Sequence, residues 1–222
     1  MTKTEQLNAL FAQWEAEIPA YKNLFVKDGI INESQWNVTN PKILFITKEP
    51  NHYENPRAGD FREEWSKGDC NYPFAYRIAE WAFGIIQGFP EFISIRHPKD
   101  LCHEYLQKIA FMNIKKLGGG SNAIHKNLVA HLKVGRHCHF IREQIRIIDP
   151  DLIILGFSSH KRLIEMVFPD IKLNQCGYYI EVAKLGKSKV IDFYHPSSRT
   201  GPPAAYSLLQ NVINSNVFKE LY

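Results

Sequence analysis

Apolar positions follow two rhythms along this chain. Between Thr4 and Ile18, the residues Leu7, Leu10, Phe11, Trp14 and Ile18 stand at offsets 0, 3, 4, 7 and 11. That spacing predicts one amphipathic helix, ended by Pro19. Four short runs then read as strands: Ile43–Thr47, Ile109–Ile114, Leu152–Leu155 and Val190–Tyr194. Each is nearly continuous in apolar residues, as expected for strands of a parallel sheet covered on both faces. Helical patterns fall at Ala75–Gln87, His139–Ile148, His160–Val167 and Pro202–Phe218. Gly177–Val182 reads as an extra strand or a hairpin arm. Strands alternating with helices predict βαβ units in a three-layer α/β/α sandwich around a four-stranded, mostly parallel sheet. No repeat, low-complexity tract or linker interrupts the pattern, so residues 1–222 are read as a single domain with the N-terminal helix packed on it.

Composition adds exclusions. With 45% apolar and 23% charged residues, the 222-residue chain has ordinary globular usage and can bury a sizeable core. Disorder and collagen-like structure are excluded for the chain as a whole. The formal charge of +4 permits a polyanion partner without demanding one. Cys70, Cys102, Cys138 and Cys176 are widely spaced with no CxxC pair, which disfavours a zinc ribbon, a local iron–sulfur motif and a disulfide framework. Met1–Leu10 is polar and does not read as a signal peptide, and no apolar run has the ~20 residues of a membrane span. The expected location is the cytoplasm.

In an open parallel sheet, ligands bind beyond the carboxyl ends of the strands. Here those ends are polar. The first run leads to Lys48-Glu49-Pro50-Asn51-His52. The second ends in Asn113 and leads to Lys115, Lys116 and Gly118-Gly119-Gly120-Ser121-Asn122. The third leads to Gly156-Phe157-Ser158-Ser159-His160. The fourth leads to His195-Pro196-Ser197-Ser198-Arg199.

Each group has a functional and a plain structural reading. Glu49, on a turn locked by Pro50, can orient a water or stabilise a cation, or it is a solvated turn residue. Asn113 can read the edge of a base, or it satisfies backbone at a strand end. His195 can donate to a carbonyl while Ser197 and Ser198 cradle phosphate; otherwise it is a buried histidine before a capped helix. The glycines beside Lys115 and Lys116 allow close backbone approach to a ligand, or form a plain loop. No lysine-Ser/Thr pair follows them, so this is not a Walker loop. Tyr72-Pro73-Phe74 precedes a helix and can stack on a base or staple that helix. His125, His131, His137, His139 and Cys138 invite a metal reading. His137 and His139 point apart on a helix, however, and Lys126, Lys133, Arg136 and Arg142 make a basic face the preferred reading.

Taken in order, these blocks resemble the uracil-DNA glycosylase superfamily across roughly residues 40–215. The stretch around Lys48-Glu49-Pro50-Asn51-His52 is similar to the first motif, which family branches write GQDPYH, GINPG, GMNPG or GEAPG. Ala110–Lys116 resembles the Asn-ending strand, Pro73-Phe74 the Pro-Phe pair and Ile141–Gly156 the helix–Pro–strand segment. His195–Arg199 resembles the HPSP block, with HPSS here. The chain departs from the family in carrying Lys48-Glu49 before the proline and in an apparent insertion, His52–Cys70. It also lacks the N-terminal CxxC pair of the iron–sulfur branch, so no cluster is expected.

The resemblance implies a monofunctional glycosylase that flips out and excises a uracil-like or damaged base. It assigns Glu49 to the water or the sugar cation and His195 to the departing base. It gives Phe74 and Asn113 to holding the base, with Lys48 and Asn51 beside them. It gives Lys115, Lys116, Ser197, Ser198 and Arg199 to gripping DNA. No lysine reads as a Schiff-base nucleophile, with Lys48 the candidate to exclude. Single- or double-stranded DNA is the expected partner of a monomer with no cofactor, no metal and no membrane. The alternatives are an inactive nucleic-acid-binding or base-sensing module on the same fold, and a hydrolase of free nucleosides or nucleotides. Lys115-Lys116, Lys126–Arg142 and Arg199 are expected on the DNA side, away from Glu5, Glu15 and Glu17 on the N-terminal helix.

Overall fold

Thr2 and Glu5 exchange side-chain-to-backbone hydrogen bonds of 2.8 and 3.1 Å at the start of the first helix, α1 (Lys3–Glu17). A computed structural model describes residues 1–51, 57–68, 70–95, 97–120, 123–158 and 160–221. Helix α1 buries Leu7, Phe11 and Trp14 and stops before Pro19, as the spacing predicts. After it come β1 (Val26–Lys27), β2 (Gly29–Ile30), α2 (Glu33–Val38), β3 (Ile43–Thr47), β4 (Gly59–Asp60) and α3 (Phe61–Ser66). The middle of the chain forms α4 (Pro73–Gln87), α5 (Pro98–Tyr105), β5 (Ala110–Asn113), α6 (His125–Lys133), α7 (His137–Ile148) and β6 (Leu152–Leu155). The last part forms α8 (Lys161–Val167), β7 (Asn174–Gly177), β8 (Ile180–Leu185), β9 (Ser188–Asp192), α9 (Pro202–Asn214) and α10 (Asn216–Lys219).

The four apolar runs become the four neighbouring strands β5-β3-β6-β9, all parallel. The sheet is larger than four strands, however. It has seven in the order β2-β5-β3-β6-β9-β8-β7 and is mixed, with antiparallel β2 on one edge and the antiparallel β8 and β7 on the other. A separate two-stranded parallel sheet joins β1 to β4. The segment Gly177–Val182 is the tip and part of one arm of the β7–β8 hairpin. Strands β1, β2 and β4 span two residues each, too few to carry a pattern.

Alternate residues of the central strands enter two separate cores. Ile43, Phe45, Phe111, Ile154 and Ile191 pack with Ala75 and Ile78 of α4, Cys102 of α5 and Leu209 of α9. Leu44, Ile46, Met112, Ile153 and Val190 pack with Trp14 of α1, Leu128 of α6, Ile141 of α7 and Leu163 of α8. Burial on both faces is why these strands read as unbroken apolar runs.

Several boundaries shift from expectation. Helix α4 starts at Pro73, so Phe74 sits in its first turn rather than before it. Helix α7 starts at His137, and β9 is Ser188–Asp192 rather than Val190–Tyr194. Ser215 breaks the expected Pro202–Phe218 helix, its Oγ accepting from the Phe218 N–H at 3.2 Å as the cap of α10. The described part of the His52–Cys70 insertion forms β4 and α3 and packs Trp65 on Phe111, ring centroids 4.6 Å apart. His52, Ser121, Asn122 and Ser159 lie outside the described residues, as do residues 53–56 and 69 of the insertion. Among the described residues no helix is long and apolar enough to cross a membrane.

Candidate active site

Backbone pairing between β3 and β5 continues past both strands. The N–H groups of Ile114, Lys115 and Gly119 donate to the carbonyls of Thr47, Lys48 and Pro50 at 3.0, 3.0 and 2.8 Å. The Lys48–Asn51 turn is therefore stapled to the segment after Asn113. Gly119 lies against Glu49, where a β-carbon would overlap the carboxyl group. Gly156, after β6, has a similar role: a β-carbon there would stand 3.1 Å from Thr47 Cγ2 and 3.2 Å from Pro196 Cδ. These two glycines let four strand ends close around one space.

That space is a cavity of about 620 Å³. Its walls include Lys48, Glu49, Asn51, Phe74, Asn113, His195, Ser197 and Ser198. Eight of the eleven predicted site residues thus share one cavity. Lys115, Lys116 and Arg199 do not line it.

Asn113 is 1% exposed. Its Oδ1 stands 2.7 Å from the Thr47 hydroxyl, while its Nδ2 has no partner among the described residues. A hydroxyl both donates and accepts, so either orientation of the amide leaves one polar atom available to a ligand. The backbone N–H of Asn113 donates to Asp28 Oδ2 at 2.9 Å. Asp28 is fully buried and also accepts from Lys116 Nζ at 2.6 and 2.8 Å and from Gln144 Nε2 at 2.7 Å. Lys116 is fully buried over the rings of Phe11 and Trp14. Its assignment to DNA is corrected: it is an internal counter-ion that anchors the strand end carrying Asn113. Burial lowers its pKa, opposed by the Asp28 charge.

His195 is held in one tautomer. The Ser197 N–H donates to its Nδ1 at 3.1 Å, so the neutral ring carries its proton on Nε2. Burial, helped by the Lys48 charge, pushes its pKa down to about 4, which keeps the ring neutral near pH 7. The ring lies 5.6 Å from that of Phe74, centroid to centroid, and Phe74 stands edge-on to Phe111 at 5.7 Å.

Glu49 and Lys115 form an ion pair with side chains 8% and 18% exposed. Lys115 therefore pairs inside the site rather than presenting a free cation to DNA. Burial lowers the pKa of Lys48, against the charges of Asp192 and Glu49. Ser197 and Arg199 are exposed, while the Ser198 Oγ is buried without a partner among the described residues.

The reading from sequence missed two wall residues contributed by α3, Phe61 and Glu64. Glu64 accepts from the Tyr72 hydroxyl at 3.0 Å, and Tyr72 accepts from Trp65 Nε1 at 2.6 Å. Asp60 followed three residues later by Glu63 is a helix-start signature that marks α3 in the sequence.

The histidine-rich segment serves the core. The rings of His131 and His137 lie 4.0 Å apart, centroid to centroid, tilted by 32°, and Tyr21 Oη lies 2.8 Å from His131 Nε2 and 3.3 Å from His137 Nδ1. Trp14 Nε1 donates to His137 Nδ1 at 3.2 Å. Among the described residues no three His, Cys, Asp or Glu side chains are grouped to hold a metal ion. The expected separation of charge is also corrected: Arg136 pairs with Glu17 at 3.1 Å, so the basic segment lies against the acidic helix α1.

The cavity thus offers an aromatic face, an amide, a neutral imidazole that carries its proton on Nε2, a carboxylate and a lysine. Such a set can hold a flat heterocycle by its polar edge and donate to a carbonyl that gains negative charge. No family model and no curated protein matches the chain.

Proposed function

We propose that this chain is a DNA glycosylase-like hydrolase of the uracil-DNA glycosylase superfamily, built as a three-layer α/β/α sandwich. The carrying observation is that Glu49, Phe74, Asn113 and His195, which come from four separate segments, line one cavity. A base stacked in a duplex is out of reach, so it is flipped into the cavity or taken from a single strand. Phe74 supplies a stacking face, and the Asn113 amide meets the polar edge of the base. The bond between C1′ and the base nitrogen breaks, and its electron pair leaves with the base. The neutral His195 donates its Nε2–H to the carbonyl that gains this charge. Glu49 faces the cation-like sugar and directs water, whose oxygen bonds to C1′ as its proton passes to the Glu49 carboxylate.

The test is alkali-revealed nicking of single- and double-stranded oligonucleotides containing uracil, hypoxanthine or xanthine, comparing wild type with Glu49→Gln and His195→Ala. Nicking by wild type that falls in both variants supports the reading. No nicking on any substrate overturns it for those bases.

A second reading has its own observation. The Lys115 ammonium already engages the Glu49 carboxylate, which suits a module that binds a base without cleaving it. That reading expects salt-sensitive DNA affinity unchanged in Glu49→Gln, with no base release.

A further inference from the structure

The β7–β8 hairpin turns through Tyr178 and Tyr179, which are 79% and 88% exposed. Gly177 pairs with Ile180 across this two-residue turn, and the tyrosines have φ of +51° and +61°. Both central residues are thus left-handed, where Asn-Gly is the favoured pair and a bulky side chain is strained. The other hairpin of the same sheet, between Leu185 and Ser188, puts a glycine, Gly186, at its left-handed position with φ +57°. The strained turn is held from both arms. Gln175 Nε2 donates to Glu181 Oε1 at 2.8 Å, and Cys176 Sγ lies 3.0 Å from Ser215 Oγ. Strain of this kind persists only where its surroundings enforce it, and it gathers at functional positions.

Register places the turn at the functional end of the sheet. Strand β8 runs antiparallel to β9 with Glu181 opposite Asp192. Tyr178 and Tyr179 therefore stand at the carboxyl end of β9, the end that carries His195 and the exposed Arg199. Strand β8 lies next to β9, about one strand spacing of 5 Å away, so the tip stands on the same edge of the sheet as His195 of the cavity wall. Both rings are largely exposed, and tyrosine gives a rigid flat face at low entropic cost.

Building on the nucleic-acid reading of the cavity, we propose that the Tyr178–Tyr179 turn is a stacking platform for an unpaired base next to the nucleotide in the cavity. Single-stranded sites commonly join a cationic groove to such aromatic faces.

The test uses a short thymidylate oligonucleotide with one central deoxyuridine and the fluorescent base 2-aminopurine placed in turn at the positions flanking it. Wild type should quench 2-aminopurine on one side of the deoxyuridine. Tyr178→Asn/Tyr179→Gly suits the left-handed turn, so it should melt no lower than wild type. It should lose the quenching and bind roughly 10- to 100-fold more weakly. Tyr178→Phe/Tyr179→Phe should keep both. If wild type binds the oligonucleotide but quenches no flanking position, or the Asn-Gly variant binds as tightly, the platform is overturned while the cavity reading stands. If wild type binds no oligonucleotide, the cavity reading falls and takes the platform with it.

Discussion

Gly119 approaches Glu49 so closely that a side chain of any size at position 119 would occupy the space of the Glu49 carboxyl group. The contact is fixed from the backbone, because the Gly119 N–H donates to the Pro50 carbonyl at 2.8 Å and Asn51 bridges to Gly119. Gly119→Ala should therefore move the carboxylate while leaving the sheet intact. If Glu49 directs water, base release should fall on the order of 100-fold, the scale on which misplaced catalytic groups cost rate. Single-turnover release and thermal melting, measured together, check this. A normal rate with a normal melting temperature would place Glu49 outside the chemistry.

Lys116 and Asp28 are both fully buried, and Asp28 also holds Gln144 and the Asn113 backbone. Removing one member of such a pair leaves the other charge stranded, at a cost of about 3–5 kcal/mol. Lys116→Met should show that loss in urea unfolding, and Lys116→Met/Asp28→Asn should recover part of it. A phosphate-binding lysine would instead leave stability unchanged and lower the salt dependence of DNA affinity.

The same lysine marks how far the sequence could be read. Four parallel strands were legible because burial on both faces leaves continuous apolar runs. Their polar ends were legible as a site because parallel strands deliver their carboxyl ends to one edge. Lys115-Lys116 looked like a basic patch, since local sequence does not reveal that Asp28, 88 positions away, waits in the core. Position 119 was equally opaque, as a glycine beside a strand end reads the same whether it meets a ligand or a carboxylate. The short edge strands were silent because two residues carry no period.

Stability should fall in mild acid, before His195 is affected. Burial pushes His131 down to about 3 and His137 to about 4, the former also through the His137 charge. The unfolded chain takes up these protons near pH 6.5 and the folded chain does not. Their contribution is therefore complete above pH 6.5 and is lost as pH drops toward 4. Each histidine accounts for at most about 2 kcal/mol of loss by pH 5. Urea unfolding at pH 7 and pH 5 measures it, and His137→Phe should reduce the difference by that residue's share, leaving those of His131 and His195. His195, with its pKa near 4, stays neutral through this window. Base release per folded molecule should then show no loss from His195 protonation between pH 7 and pH 5.

The state of His195 rests on one backbone hydrogen bond, from the Ser197 N–H to Nδ1 at 3.1 Å. Proline has no N–H to give, so Ser197→Pro removes the bond, whereas Ser197→Ala keeps it and deletes only the hydroxyl. Without that donor, Nδ1 is free to carry the proton and Nε2 to become an acceptor, the wrong polarity for a carbonyl gaining negative charge. Ser197→Pro should therefore slow base release by roughly 10- to 100-fold at saturating enzyme, within the range assigned to acid–base groups, with DNA affinity nearly unchanged. Ser197→Ala should stay within a few-fold of wild type. Nitrogen chemical shifts of the imidazole report the tautomer directly, as Nε2–H in wild type and Ser197→Ala and a mixture in Ser197→Pro. A mixture in Ser197→Pro with undiminished release would remove His195 from the departing base.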